Sequence, residues 1–158
     1  MTTPPPPVAE DRRAGAVRIA FGVIFLWASG VHVGIVSGDP ELYHDVADGA
    51  WMPGVLTAWR EIFMAHPAFW GLLIGIGEFA IGAALLAGGR VADFGRAGAV
   101  AFHLGLMTLG WGYWMWSVPA LLLLLGPGRR RVASSDLTHP QQGTDSTNDW
   151  MPTGRTAP

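Results

Sequence analysis

Three ionisable side chains lie inside long apolar stretches of this 158-residue sequence: His32, Glu78 and His103. A charged residue at the middle of a membrane helix costs about 2.5–3.5 kcal/mol on insertion scales, so such a group is a candidate for function. Without a nearby cation, burial among apolar helices favours the protonated form of a carboxyl. That form can donate a hydrogen bond to a carbonyl or relay a proton.

Glu78 lies in the middle of the second apolar stretch, on a helical face that otherwise carries glycine. Gly71, Gly75, Glu78 and Gly82 follow one another at spacings of four, three and four residues. Because small residues allow close helix approach in membranes, this face is predicted to pack inside the protein and to turn Glu78 away from lipid. The alternative to proton chemistry is a single interhelical hydrogen bond that only holds the helices together.

His103 lies in the third apolar stretch, at a depth predicted to match that of Glu78. Antiparallel neighbours would then allow the two side chains to pair and share a proton, so Glu78 and His103 form a candidate catalytic proton relay. A structural hydrogen bond between them is the alternative.

His32, Trp111 and Trp114 form a candidate cofactor-binding group for a flat quinone, since aromatic rings can line such a site. The alternatives are an interfacial histidine with its hydrogen bonds satisfied and an aromatic belt at the headgroup level. His32 is predicted to lie well above Glu78, so no metal site is predicted from these side chains.

Arg90 and Arg96 flank the predicted inner turn, with Asp93 between them. They are candidates for binding an anion or a lipid headgroup, or they anchor the topology.

The elements that position these residues follow from composition. Half of the chain is hydrophobic and 14% is charged. Residues 19–37 and 97–128 carry no Asp, Glu, Lys or Arg, and residues 67–89 carry only Glu78. Stretches of about 20 such residues predict membrane helices, which excludes an ordinary water-soluble enzyme.

Further function classes are excluded by residue types that the chain lacks. There is no cysteine, so no Cys-ligated cofactor is expected, and no covalent cofactor is predicted. All ten basic residues are Arg, so no catalytic lysine exists. With a net charge of −2 and no basic stripe, nucleic acid is not a predicted partner.

The predicted fold is an all-α, up-down four-helix membrane bundle over residues 16–131. Its spans are predicted at about 16–37, 67–88, 95–110 and 112–126. The last two come from one apolar block, which could instead form a single long tilted helix. The positive-inside rule favours two crossings of this block, because all Arg clusters then lie on one side of the membrane. The predicted location is the bacterial plasma membrane, with both termini on the cytoplasmic side.

The segments outside the spans are predicted to differ in character. Residues 1–15 and 132–158 are predicted to be disordered tails. The outer loop carries a helical apolar stripe, which predicts a short amphipathic helix; its members are Val55, Leu56, Trp59, Ile62 and Phe63.

Three short motifs resemble the DoxX-like family of small bacterial membrane proteins. They are Arg18-Ile19-Ala20-Phe21-Gly22-Val23-Ile24-Phe25, then Glu78-Phe79-Ala80-Ile81-Gly82-Ala83-Ala84-Leu85-Leu86 followed by Arg90, and Gly126-Pro127-Gly128-Arg129. Family members often carry a Lys late in the first span, where this chain has His32 and Val33. The resemblance implies a four-helix membrane fold, and in one branch of the family a quinone-linked oxidoreductase subunit.

The leading functional hypothesis is therefore an accessory or catalytic membrane subunit of a quinone-linked redox system, with a soluble redox partner on the cytoplasmic side. The alternatives are a carrier for a small apolar or weakly acidic molecule, and a non-enzymatic scaffold for a soluble partner. Gly30 and Gly34 form a G-x-x-x-G pair that leaves homo-oligomerisation open. Four short helices are expected to leave little room for an internal cavity.

Overall fold

The computed structural model describes residues 9–126, with side chains from Arg12 onward, and this part of the chain is all-α. The all-α prediction is confirmed. The α-helices are α1 (Ala9–Gly38), α2 (Pro53–Ala58), α3 (Pro67–Ala87), α4 (Gly89–Leu106) and α5 (Trp111–Leu125). Residues 1–8, the closing motif beyond Gly126, the arginines at 129–131 and the predicted tail 132–158 lie outside the described residues.

Helix α1 begins at Ala9, so the prediction of a disordered tail up to residue 15 is wrong for residues 9–15. This segment contains two alanines, two arginines and one glutamate, which are good helix formers, and extending an existing helix is easier than starting one. The helix ends at Gly38, one residue beyond the predicted end of the first span at about residue 37.

The turn between α3 and α4 consists of Gly88 and Gly89, which have φ angles of +78° and +58°. Glycine adopts this left-handed conformation without the strain that a Cβ would cause. Because the turn is so short, α4 begins at Gly89 rather than 95 and ends at Leu106 rather than 110. Arg90, Asp93 and Arg96 therefore belong to the helix and not to a loop.

The last apolar block is divided into two helices, as the glycines near residue 110 predict. Gly110, in the connecting turn, lies against the outer loop: a Cβ there would come within 2.9 Å of the Gly49 carbonyl oxygen. The Trp51 indole donates to the Met107 carbonyl at 3.1 Å across the same junction. The outer loop and the α4–α5 turn thus lie at the same end of the molecule.

The outer loop consists of two helical segments rather than one. A 3₁₀-helix spans Pro40–Ala47, and its N-cap Asp39 accepts a hydrogen bond from the Glu41 amide at 3.0 Å. Helix α2 follows and continues into a π-helical turn, Trp59–Phe63. The predicted amphipathic helix is present, but Ile62 is 57% exposed instead of facing inward, because the wider π turn breaks the 3.6-residue period.

Helix α3 lies between α1 and α4 and packs closely on both. A Cβ on Gly82 would lie 2.8 Å from the Gly22 carbonyl oxygen of α1, and a Cβ on Gly95 of α4 would lie 2.8 Å from the Leu85 amide. Glycines thus let the backbones approach on both sides of α3. Helix α5 packs on α4 and closes against α1 only in part.

Two of these helices are long and apolar enough to cross a membrane by length and composition, namely α1 from Arg12 and α3. Helix α5 is apolar but shorter, with 15 residues.

Candidate functional site

A cavity of about 550 Å³ lies between α1, α4 and α5, with Glu78 of α3 at its wall. The cavity is open on one side rather than enclosed, because α5 closes only partly against α1. Glu78 and His103 are the two ionisable residues of the lining, and its other members are apolar or aromatic. Ligand pockets commonly have this size and this character, with a few polar groups in apolar walls. The apolar lining includes Phe21, Ile24, Phe25, Phe102, Leu106, Met115 and Ala120.

Glu78 is 3% exposed, and the predicted packed face of α3 is confirmed, since Gly71, Gly75 and Gly82 are buried with it. Its Oε2 lies 3.4 Å from Nε2 of His32. That separation suits an ion pair, but the geometry is not that of a hydrogen bond. Within the described part of the chain, Oε2 therefore remains a buried oxygen without a hydrogen-bond partner. Such atoms are uncommon in native proteins and call for a specific explanation.

His32 connects Glu78 to the outer loop. Its Nδ1 lies 2.5 Å from the Tyr43 hydroxyl, and the two rings stack with centroids 5.7 Å apart and planes inclined by 11°. Tyr43 belongs to the 3₁₀-helix and is 3% exposed. It fits above Gly71, where any Cβ would come within 2.7 Å of the Tyr43 ring.

Tyr43 is held from the loop side as well. The Trp59 indole donates to the Tyr43 carbonyl at 2.9 Å, and Phe63 meets the ring edge-on with centroids 5.2 Å apart. Burial and, to a smaller degree, the charge of Glu78 raise the pKa of the Tyr43 phenol. The hydroxyl therefore stays protonated at neutral pH and can both donate and accept a hydrogen bond.

His103 also lines the cavity and is 4% exposed. Its Nδ1 lies 3.3 Å from the Ser117 hydroxyl of α5, which is completely buried. Phe21, Phe25 and Phe102 meet the imidazole edge-on, with centroids 6.0–6.2 Å apart. The ring is thus fixed by one hydrogen bond and an aromatic enclosure.

The predicted direct pair of Glu78 and His103 is wrong, since no hydrogen bond or ion pair joins these two described side chains. The glycine face of α3 packs on α1, so it directs Glu78 toward His32. The two residues also differ in depth: His103 lies 14 residues beyond the start of α4, whereas Glu78 lies nine before the end of α3. At 1.5 Å per residue, five residues correspond to about 7 Å.

The prediction that His32 lies well above Glu78 is also wrong, because the direction of α3 tilts the Glu78 side chain toward His32. Its Cβ lies level with Gly75, one turn toward the outer end from Glu78. Helical side chains lean toward the N-terminus, and the N-terminus of α3 is at the outer end. Glu78 therefore leans outward, to the level of His32.

The predicted quinone group does not assemble around the cavity. His32 contacts Tyr43 and Glu78, whereas Trp111 is 67% exposed and Trp114 donates to the Met107 carbonyl at 2.8 Å. Trp111 and Trp114 contact each other, with centroids 4.8 Å apart. Trp116, which belongs to the same aromatic cluster in the sequence, does line the cavity. Pro119 and Ala120 follow Trp116 by three and four residues, so all three lie on one face of α5, and this spacing was the sequence signal for the face that lines the cavity.

At the inner end, Arg18 has a role that sequence reasoning missed. Its guanidinium donates to the Leu85 and Leu86 carbonyls at the C-terminus of α3. Arg18 also lines a second cavity of about 200 Å³ together with Asp93 and Arg96, whose side chains lie 3.7 Å apart. Arg90 is exposed and lies outside this lining, because six residues along a helix turn it to another face.

No three His, Asp or Glu side chains converge on a common point in residues 9–126 in a way that could hold a metal ion. Comparisons with protein-family models, curated proteins and solved structures find no match for this chain. The resemblance to the DoxX-like family therefore remains a prediction from the three short motifs.

Proposed function

We propose that this protein is a four-span membrane protein that binds a lipophilic molecule with a polar head, with a quinone as the best-fitting class. The observation that carries the proposal is the cavity of about 550 Å³, whose apolar lining includes a buried carboxyl with an unsatisfied oxygen. A ligand hydroxyl could donate to that oxygen, or the protonated carboxyl could donate to a quinone carbonyl.

The surface of the helices supports a membrane location. Large apolar side chains cover the bundle perimeter, while Glu78, His103, Ser29 and Ser117 are buried. A water-soluble protein rarely exposes so much contiguous apolar surface, whereas lipid tails accept it. Residues more than half exposed include Trp27, Ile76, Phe79, Phe94, Leu104, Met115 and Leu122.

The charges at the two ends support the proposed orientation. Arg12, Arg13, Arg18, Arg90 and Arg96 lie at the end of the α3–α4 turn, and the acidic outer loop lies at the other. By the positive-inside rule the arginine end is cytoplasmic. Helix α5 is about 22 Å long by helical rise, which is shorter than the roughly 30 Å hydrocarbon core. In the proposed arrangement it crosses where the bilayer is locally thinner, or together with the apolar turn that precedes it.

The cavity opens sideways, toward lipid, between α1 and α5. Ile24, Met115, Trp116 and Leu123 line it and are each 43% exposed or more. A quinone could therefore enter from the bilayer with its ring between Phe102 and Trp116 and its chain left in lipid. As a subunit of a quinone-linked redox system, the protein would exchange electrons through a soluble partner on its cytoplasmic face.

Binding of a short-chain ubiquinone to the purified protein in lipid nanodiscs tests the proposal. Quinones quench tryptophan fluorescence, so we expect saturable quenching that is weakened in Trp116→Phe. Ala28→Phe fills the cavity from α1 and should abolish binding, whereas Ala101→Phe, on the exposed face of α4, should leave it intact. Equal binding by both phenylalanine variants would contradict the cavity as the site.

A carrier is the second candidate, favoured by the contact of Glu78 with His32, which brings the cavity carboxyl near the loop end. Proton-coupled uptake of a weakly acidic lipophilic solute into liposomes would distinguish it from a stationary quinone site. A redox subunit should instead co-purify with quinone and show no such uptake.

A further inference from the structure

We propose that His32 is the residue through which Glu78 exchanges protons with the loop face of the protein, and that Tyr43 is the positioning residue that holds His32 in place. The inference deepens the proposed function, because it assigns the side from which the carboxyl of the binding cavity is protonated. It rests on the contacts between α1, α3 and the 3₁₀-helix.

The titratable side chains around Glu78 are His32 from α1, Tyr43 from the 3₁₀-helix and, across the cavity, His103 from α4. Nε2 of His32 lies 3.4 Å from Oε2 of Glu78, which a small side-chain rotation would turn into a hydrogen bond. The buried oxygen that lacks a partner is thus next to a ring nitrogen that can take or give a proton.

His32 is the less buried member of the pair and the one nearer the loop. Its side chain is 20% exposed, compared with 4% for Glu78. His103 offers no such route, since it is enclosed by Phe21, Phe25 and Phe102 and hydrogen-bonded to the buried Ser117. The cavity itself is lined by apolar side chains and opens toward lipid.

The proposed step transfers one proton from the Glu78 carboxyl to His32 and then to water. The O–H bond of the Glu78 carboxyl breaks as an N–H bond forms at Nε2 of His32, which leaves a carboxylate beside an imidazolium. The imidazolium then releases one of its two N–H protons to water at the loop face. The reverse sequence reloads the carboxyl, and no electron is transferred in either direction.

Tyr43 fixes the ring so that Nε2 faces the carboxyl. Its hydroxyl holds Nδ1 at 2.5 Å, and its ring stacks on the imidazole. Trp59 and Phe63 hold Tyr43 in turn, so the loop segments position a residue of the helical bundle.

Infrared spectroscopy of the full chain in nanodiscs tests the inference without any ligand. The Glu78 carboxyl band is assigned by its loss in Glu78→Gln, and its shift is followed after rapid transfer from H₂O to D₂O at a pH where the band is present. In His32→Gln we expect exchange to be slower by about a hundredfold, the lower end of what a positioned proton-transfer group contributes. Tyr43→Phe, which keeps the stacking but loses the hydroxyl, should slow it less.

Matched controls are available in the same region. Tyr113→Phe removes the other tyrosine hydroxyl, which donates to the Val46 carbonyl at 3.3 Å, and His44→Gln removes the exposed histidine that pairs with Asp45. Both should exchange like the wild type. Circular dichroism tests whether each variant folds. If His32→Gln does not fold, the exchange rates of Tyr43→Phe and Tyr113→Phe are compared instead, and slower exchange in Tyr43→Phe supports the inference.

Unchanged exchange in folded His32→Gln, or equal exchange in Tyr43→Phe and Tyr113→Phe when only those fold, would overturn the inference. Slowing in His103→Gln with normal exchange in His32→Gln would overturn it as well. The exchange measurement needs no quinone. A failure of quinone binding would therefore refute the proposed ligand class without affecting the test of proton exchange through His32.

Discussion

At the scale of single residues, Glu78 combines three features that rarely occur together. It is 3% exposed, one of its oxygens lacks a hydrogen-bond partner among the described residues, and it lines a large cavity. A purely structural carboxyl would be expected to have its oxygens satisfied, because an unmet buried group costs about 1–3 kcal/mol. The arrangement therefore favours a bound partner for that oxygen.

Replacement of Glu78 by Gln and by Leu separates the structural from the functional role. Gln keeps the size and, like a protonated carboxyl, can donate to a quinone carbonyl. Quinone binding should thus be retained in Glu78→Gln. Glu78→Leu should lose binding at a stability cost of only about 1 kcal/mol, because interhelical hydrogen bonds in membranes are weak.

Fluorescence titration with quinone and thermal unfolding in detergent measure the two effects. Equal affinity of the wild type and Glu78→Leu would contradict the donor role of the carboxyl. An unfolded Glu78→Leu variant would show that the residue mainly holds the helices together.

Arg18 offers a second test at this scale, since its guanidinium donates to carbonyls at the C-terminus of α3. A cation there also interacts favourably with the helix dipole. Arg18→Gln should lower the unfolding free energy by about 1–2 kcal/mol, as loss of a charged hydrogen-bond donor does. Arg90→Gln, at an exposed position, should stay within about 0.5 kcal/mol of wild type in the same unfolding assay. Equal stability of the two variants would show that the contact contributes nothing.

At the scale of helices, close packing of α1 on α3 determines which side chains meet. The four-three-four spacing on α3 predicted a buried face correctly, but not which neighbour would cover it. Gly22 and Gly82 bring α1 to that face, while Gly95 and Gly98 bring α4 to another. Spacing along one helix defines a face, and only the partner helix defines what the face contacts.

Gly82→Ala and Gly77→Ala form a matched pair on α3. A Cβ at Gly82 would lie 2.8 Å from the Gly22 carbonyl oxygen and 3.0 Å from the Leu26 amide, whereas a Cβ at Gly77 meets nothing within 4 Å. Gly82→Ala should therefore destabilise the protein by about 1–3 kcal/mol through overpacking. Gly77→Ala should be neutral or stabilising by up to about 1 kcal/mol, because alanine is the better helix former. Thermal unfolding in detergent compares them, and similar melting temperatures would argue against the close α1–α3 contact.

At the scale of the whole molecule, the partial closure of α5 against α1 creates the cavity. The same arrangement leaves the opening between two helices with exposed apolar surfaces. In the proposed four-span arrangement this opening would face lipid, so the proposed ligand access depends on the proposed topology.

The absence of cysteine from the sequence allows a direct test of topology. Single cysteines can replace Asp45 in the outer loop, Arg90 near the α3–α4 turn, and Ser134 beyond the last helix. In intact cells, a membrane-impermeant maleimide should label Asp45→Cys alone, and the other two only after permeabilisation. Labelling of Ser134→Cys in intact cells would indicate an odd number of crossings and contradict the four-span arrangement.

The sequence alone determined the all-α class, the position of most helices and the buried face that carries Glu78, and it favoured a break near residue 110 over one long helix. These follow from local patterns: the length of apolar stretches, the spacing of glycines, and prolines or glycines where helices end. Only the tertiary structure decided that Glu78 contacts His32 and not His103, that Tyr43 stacks on His32, and that Trp116 rather than Trp111 or Trp114 lines a cavity. Those contacts depend on the two-glycine turn that shifts α4 along α3, on the outward lean of side chains on α3, and on a loop that folds back by way of a π turn. Each is set by how one segment packs on another, which no pattern within a single segment encodes.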